Sequence, residues 1–228
     1  MFNIPTHLNL AGKNVAFTLA EVLITLGIVG VVAALTIPSL ISRYEKKVIV
    51  NQLKETSSII QQAMKLYMTD MGTTDLKNTP LYKNSGELKK VMHKYFKVIN
   101  DCDGKYYVEG KYNCFSKAYK DLDGSQFSIL PYFGCDFTAS LANGASVCVD
   151  VNTDPNLKYI LAFEVDLNGV KGPNTYSKDY HKIYVSSNGI IYDDSYEKGA
   201  RPEDIRGFNC LTGSLGQIMH DSWEINYY

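Results

Sequence analysis

From Val22 to Ser42 the chain reads VLITLGIVGVVAALTIPSLIS, 21 positions without a charge. A helix needs about 20 apolar residues to cross the hydrocarbon core of a bilayer, so this block predicts a membrane-inserted helix. The apolar core of a secretory signal spans only about 7–15 residues. The second reading is nonetheless a cut after Ala34, with Val32 two residues before it. Past Pro38 the pattern turns amphipathic. Ile49, Leu53, Ile60, Met64, Tyr67 and Met71 fall on one side of a helical wheel, opposite Lys46, Lys54, Gln61 and Lys65. Gly72 supplies a stop, followed by Thr73 and Thr74. One long helix over 17–71 is therefore expected. Its lower half spans the membrane, and its upper half lays an apolar stripe on the domain that follows.

Beyond Gly72 the periodicity shortens. Leu88, Val91, Met92, Tyr95 and Phe96 predict a short helix near 86–98. Strand patterns follow at Ser146–Val151, Tyr159–Leu167, Lys182–Ser186 and Ile190–Tyr192, with Ser187-Asn188-Gly189 as the turn of a hairpin. Leu215 to Trp223 reads as a last short helix. The domain is thus a helix, a variable loop and an antiparallel sheet.

Composition changes the picture in one respect. The 23 basic and 24 acidic residues give a net charge of -1, which argues against a nucleic-acid binder working through a basic field. That average conceals a division. Residues 1–42 hold only Lys13 and Glu21, and all the other charges come later. Glu21 stands at the head of the apolar block, where a carboxylate either bounds the span or marks a functional contact that needs a partner. No basic residue lies within helical reach in the block, so a partner comes from another chain or from a free amino terminus.

The run Ala16-Phe17-Thr18-Leu19-Ala20-Glu21, followed by apolar residues with Gly30, Ala33, Ala34 and Pro38, resembles the class III signal of type IV pilins and type II secretion pseudopilins. The match is close over about 40 residues of the 228. It implies a leader over 1–16 and a cut by a prepilin peptidase between Ala16 and Phe17. It also implies N-methylation of Phe17 and a role for Glu21 in assembly. Pro38 matches the proline that the family places near the end of its span, a point where the helix can bend. Most members have Gly before the cut, where this chain has Ala16. The implied partners are the peptidase, other pilin or pseudopilin subunits and an inner-membrane assembly platform with its ATPase. In the fibre, the new amine of one subunit faces the Glu21 of its neighbour, a pair that low dielectric strengthens.

The implied location is the bacterial cytoplasmic membrane, crossed once, with the C-terminal domain outside, and afterwards a pilus or pseudopilus. Arg43, Lys46 and Lys47 follow the span and Lys13 precedes it, which by charge count alone favours the opposite orientation. Large domains translocate largely regardless of such charges, and cysteine usage agrees with an outer compartment.

Five cysteines, Cys102, Cys114, Cys135, Cys148 and Cys210, all follow the span. None forms a CxxC pair, and His93, His181 and His220 lack ligand spacing, so a zinc site is not expected. In an oxidising compartment 15 arrangements of two disulfides and one thiol exist. Short loops favour Cys102 with Cys114 and Cys135 with Cys148, each stabilising by about 3 kcal/mol.

Asp166-Leu167-Asn168-Gly169, with Asp179 further on, begins like a calcium loop. Some pseudopilins carry calcium in a C-terminal loop. Against that, Ser177 stands where an EF-hand has its bidentate Glu, and Lys171 intrudes; the other reading is an Asn-Gly and Gly-Pro turn leaving a strand. Apart from that calcium reading, no cofactor is expected. Fifteen of the 17 tyrosines follow residue 72, either as an adhesive surface or as strand formers and loop anchors. No GxSxG, HExxH, phosphate loop or paired-carboxylate signature is present, so catalysis is not expected.

The expectation is an α+β, pilin-like chain. It comprises a leader over 1–16, a long helix over 17–72 that spans the membrane at about 17–41, and an extracytoplasmic domain over 73–228 with a small antiparallel sheet. Its function would be that of a prepilin-like structural subunit. The rival is a membrane-anchored binding or adhesion domain that never polymerises.

Overall fold

The computed structural model describes residues 17–102, 107–108, 111–112, 114–116, 118–127, 135–192 and 214–228. Residues 1–16, expected as a leader and ending in Ala16, and Cys210 lie outside the described residues. The elements in chain order are α1 (Leu19–Asp70), α2 (Pro80–Lys83) and α3 (Leu88–Tyr95), then strands β1 (Val98–Asp101), β2 (Tyr107–Val108), β3 (Lys111–Tyr112), β4 (Tyr119–Lys120), β5 (Gln126–Phe127), β6 (Phe137–Leu141), β7 (Ser146–Val151), β8 (Tyr159–Asp166), β9 (Tyr180–Ser186) and β10 (Ile191–Tyr192), and finally α4 (Ser214–His220). The chain divides into two compact units, Met1–Tyr44 and Glu45–Tyr228.

The first unit holds the apolar half of α1. This helix is long and apolar enough to cross a membrane, and its most apolar window is wholly unburied. Leu23, Ile24, Val29, Leu35 and Leu40 are all exposed, as lipid-facing residues are. α1 runs unbroken through Pro38. Hydroxyls near the proline bond back to the helix: Thr36 Oγ1 donates to the Val32 carbonyl at 2.9 Å and Ser39 Oγ to that of Thr36 at 2.9 Å. Such back-bonding gives each hydroxyl a partner where a membrane offers no water.

In the second unit the upper part of α1 packs on an antiparallel sheet of order β1-β6-β7-β8-β9-β10. The stripe residues Ile49, Leu53, Ile60, Met64 and Tyr67 are buried. They meet alternate residues of the sheet: Phe137 and Ala139, Val147 and Val149, Leu161, Phe163 and Val165, Ile183 and Val185. The register Phe137↔Val149↔Phe163↔Ile183 aligns the apolar positions of four strands across the sheet. Full burial of such a side chain contributes about 1.5–3 kcal/mol, so this layer is the main source of the unit's cohesion.

Met71 departs from the expected stripe and is exposed. The reason lies in the stop signal itself. Gly72 adopts φ 66°, the Thr73 N–H donates to the Met68 carbonyl and the Gly72 N–H to that of Thr69, both at 3.0 Å. This left-handed cap turns the chain away two residues after the helix ends at Asp70. At the far end of the sheet Gly189 (φ 75°) fits its hairpin turn against α1, where a Cβ would lie 2.9 Å from Met68 Sδ.

The sheet is wider than the sequence pattern indicates. β7 coincides with the expected strand, and β8 and β9 differ from theirs by one or two residues. β1 and β6 are additional, and the helix expected near 86–98 ends at Tyr95, with Val98 already in β1. A second cluster covers the other face of the sheet, formed by Phe115, Tyr119, Tyr176, Tyr180 and four cysteines. Disulfides join Cys102 to Cys114 and Cys135 to Cys148. The Tyr180 ring meets those of Tyr119 and Tyr176 edge-on, at centroid distances of 4.9 and 4.5 Å. At these positions tyrosine is a packing residue.

Candidate functional site

Two places carry chemistry that packing alone does not require. The first is the head of α1. Thr18 caps the helix and Glu21 sits in its first turn. The Thr18 N–H and hydroxyl both donate to Glu21 Oε2 at 2.8 Å, while the Glu21 N–H donates to Thr18 Oγ1 at 3.2 Å. This reciprocal arrangement is a capping box, read from Thr-x-x-Glu spacing. The sequence pattern leads to a charged partner for Glu21 in another chain or at a free amino terminus; the structure adds an uncharged one, Thr18, three residues away. The box fixes the carboxylate at the helix N-terminus, where the macrodipole also favours negative charge. Phe17, beside it, is exposed. The end of the helix thus presents an apolar ring and a positioned carboxylate together.

The second place is the loop joining β8 to β9. The structure brings Asp166, Asn168 and Asp179 together. Asn168 Nδ2 donates to Asp179 Oδ2 at 3.1 Å, and the Asn168 N–H donates to Asp166 Oδ1 at 3.1 Å. Asp179 also accepts from the N–H groups of Asn174 and Thr175, at 2.8 and 2.5 Å. Asp166 accepts a further bond from the Tyr119 hydroxyl. Burial pushes the Asp166 carboxyl up to about 8, against that hydroxyl's pull and with Asp179 adding to the rise.

Asn168 Oδ1 is buried and has no hydrogen-bond partner among the described residues. The Asn174 amide lies 2.9 Å from the Lys171 carbonyl oxygen and 3.2 Å from that of Gly169; turned to donate to both, it accepts from Ser116 Oγ at 3.0 Å. Amide protons thus hold these two carbonyls; carboxylate and carbonyl oxygens are also the donor types that suit calcium. Asn174, Ser116 and Tyr119 were not foreseen, because nothing in local spacing links Tyr119 to Asp166. A different trio, Cys135, Cys148 and Asp150, places its donor atoms within 4.8 Å of one another, but both sulfurs are in the disulfide.

Asp150 gives a pH dependence away from the loop. Burial, reinforced by Glu164 and Asp136, raises its carboxyl to about 6, although the Asp136 N–H donates to it at 3.1 Å. A carboxyl raised on folding stabilises the fold fully below its unfolded value near 4, and that contribution is lost as pH rises through 6. Stability should therefore fall between about pH 4 and 6. Asp150→Asn should flatten this part of the profile, measured by urea unfolding at several pH values. An unchanged slope in the variant would assign the dependence elsewhere.

Comparison with protein-family models, with curated proteins and with solved structures finds no match to this chain.

Proposed function

We propose that this chain is a prepilin-like structural subunit, cut between Ala16 and Phe17, methylated on Phe17 and assembled through its apolar helix into a type IV pilus or type II secretion pseudopilus. The observation that carries this reading is the head of α1. An exposed Phe17 and a capped, oriented Glu21 begin an unburied apolar helix that continues into a stripe packed on a sheet. Once outside lipid, that helix is soluble only if other copies cover it. Its work is mechanical: apolar burial supplies cohesion, and charge pairing at Glu21 supplies register. The partners in this reading are a prepilin peptidase, further subunits and a membrane assembly platform. Mass analysis of the mature amino terminus tests it. N-methyl-Phe17 is expected; an intact Met1 would favour the anchored, non-polymerising domain, and Leu35 would favour secretion after a cut at Ala34.

A second element of the proposal is calcium at the β8–β9 loop, supported by the Asn168 Oδ1 that has no partner among the described residues and by the Gly169 and Lys171 carbonyls around the Asn174 amide of the same loop. Asp179 would supply charge, and Asp166 would add its own once the bound ion displaces the proton that burial keeps on it. Calcium at a hundred times its dissociation constant stabilises by about 2.7 kcal/mol, so millimolar calcium should raise the melting temperature by several degrees. Asp179→Asn should abolish the rise. A melting temperature indifferent to calcium would return the loop to the amide-closed form.

A further inference from the structure

The base of the sheet domain is tied to α1 immediately beyond the apolar block. Lys178 Nζ, from the β8–β9 loop, lies 3.5 Å from Glu45 Oε2. Lys46 Nζ donates to the carbonyl oxygens of Ile225 and Tyr228 and stands 4.5 Å from the centre of the Tyr228 ring. Tyr227 is buried, and its hydroxyl donates to the Ser177 carbonyl at 2.5 Å. The loop end and the C-terminal segment therefore meet at one turn of helix, around Glu45 and Lys46.

That turn is only four residues beyond Ile41. Four helical residues rise about 6 Å, and even an extended chain of that length reaches about 14 Å. The headgroup layer on each side of a bilayer is about 5–8 Å thick. If the apolar block ends at the hydrocarbon boundary, whatever touches Glu45 and Lys46 is tethered at headgroup level. The groups held there suit that layer. Lys178 pairs with Glu45 and Lys46 meets the C-terminal segment, Lys47 follows in the same turn of α1, and Asp179, next to Lys178, is buried. Lys47 is exposed and has no partner among the described residues. Tyr228 keeps 38% of its surface exposed beside two of these lysines, an aromatic placed as interfacial tyrosines are.

We infer that this base, made of Lys46, Lys47, Lys178 and Tyr228, is a docking surface for anionic phospholipid headgroups, which holds the sheet domain down on the bilayer while the subunit remains in the membrane. The inference rests on the membrane-spanning reading of α1 and not on polymerisation. Each lysine near an anionic surface contributes about fivefold in binding, and salt screens it. Undocking would then be a step that precedes departure from the membrane, and its ease would depend on lipid charge.

The test is hydrogen exchange on the full chain in vesicles of phosphatidylcholine alone and of phosphatidylcholine with phosphatidylglycerol. Amides of 177–179 and 225–228 should exchange more slowly with the anionic lipid. Those of the 187–189 turn, packed at the other end of the sheet, should not change. High salt should erase the difference, and Lys47→Gln and Lys178→Gln should each reduce it about fivefold. Lys47→Gln touches no internal contact among the described residues, so it separates lipid binding from folding. Equal exchange in both vesicles overturns the inference. So does protection that grows with protein-to-lipid ratio at fixed composition, which would mean that a second copy covers the base. A chain that does not float with either vesicle overturns the membrane reading together with this one; a chain that floats but exchanges equally overturns this one alone.

Discussion

Glu21→Gln is expected to leave the subunit in the membrane and to stop its assembly. The substitution separates two roles that an alanine would remove together. Gln at this position can still accept from the Thr18 N–H and hydroxyl, since capping boxes use Glu or Gln at the third helical position, so the helix should start where it does now. Only the charge is lost. In the proposed fibre the carboxylate of one subunit neutralises the terminal amine of another in a low-dielectric core, and an amine left there without its partner is costly. Loss of one member of such a pair lowers association by roughly a hundredfold. Thr18→Val should show the converse: a weakened cap with the charge retained, and fibres formed at reduced yield. Membrane fractionation and sheared-filament yield read the two effects separately. Glu21→Gln filaments at the wild-type level would reduce Glu21 to a helix cap.

The capping box also marks where sequence reasoning stops short. The long helix, its stripe and its stop at Gly72 were legible because each is local: a 3.6-residue period and a glycine that turns left-handed. β7, β8 and β9 were legible through β-branched and aromatic residues. β1 and β6 were not. Asn100 and Asp101 end the first, Ala139 and Ser140 lie in the second, and neither pair has strand character of its own. What makes them strands is a neighbour: Val98 pairs with Leu141, and Ala139 with Val147. The β8–β9 loop shows the same limit at a site. Asp166, Asn168 and Asp179 stood out by type and spacing, whereas Asn174 could be recognised only once the Gly169 and Lys171 carbonyls were placed around it. Thr18 is different. Its Thr-x-x-Glu spacing from Glu21 is a local signal of a capping box.

The largest stability effect should come from Leu53→Ala, and the comparison that gives it meaning is Leu66→Ala. Both residues lie on the upper part of α1, and leucine and alanine are both good helix formers, so intrinsic helicity changes little and in the same direction. Their surroundings differ. Leu53 is fully buried against the sheet, whereas Leu66 keeps 58% of its surface exposed. Removing a buried leucine costs about 2–5 kcal/mol, through lost transfer energy and the cavity left behind; an exposed position costs within about 0.5 kcal/mol. For a unit of this size about 3 kcal/mol corresponds to a fall in melting temperature of roughly 10 °C. Thermal unfolding followed by near-ultraviolet circular dichroism reads the tertiary packing of the sheet domain without depending on the membrane-spanning half of the helix. Leu53→Ala should lower the midpoint by that amount and Leu66→Ala by a degree or two. Equal effects would mean that the helix is held by its own propensity and not by the sheet. In that case the domain could detach from α1 without unfolding, and the upper half of the helix would be as free as the lower to repack against other subunits.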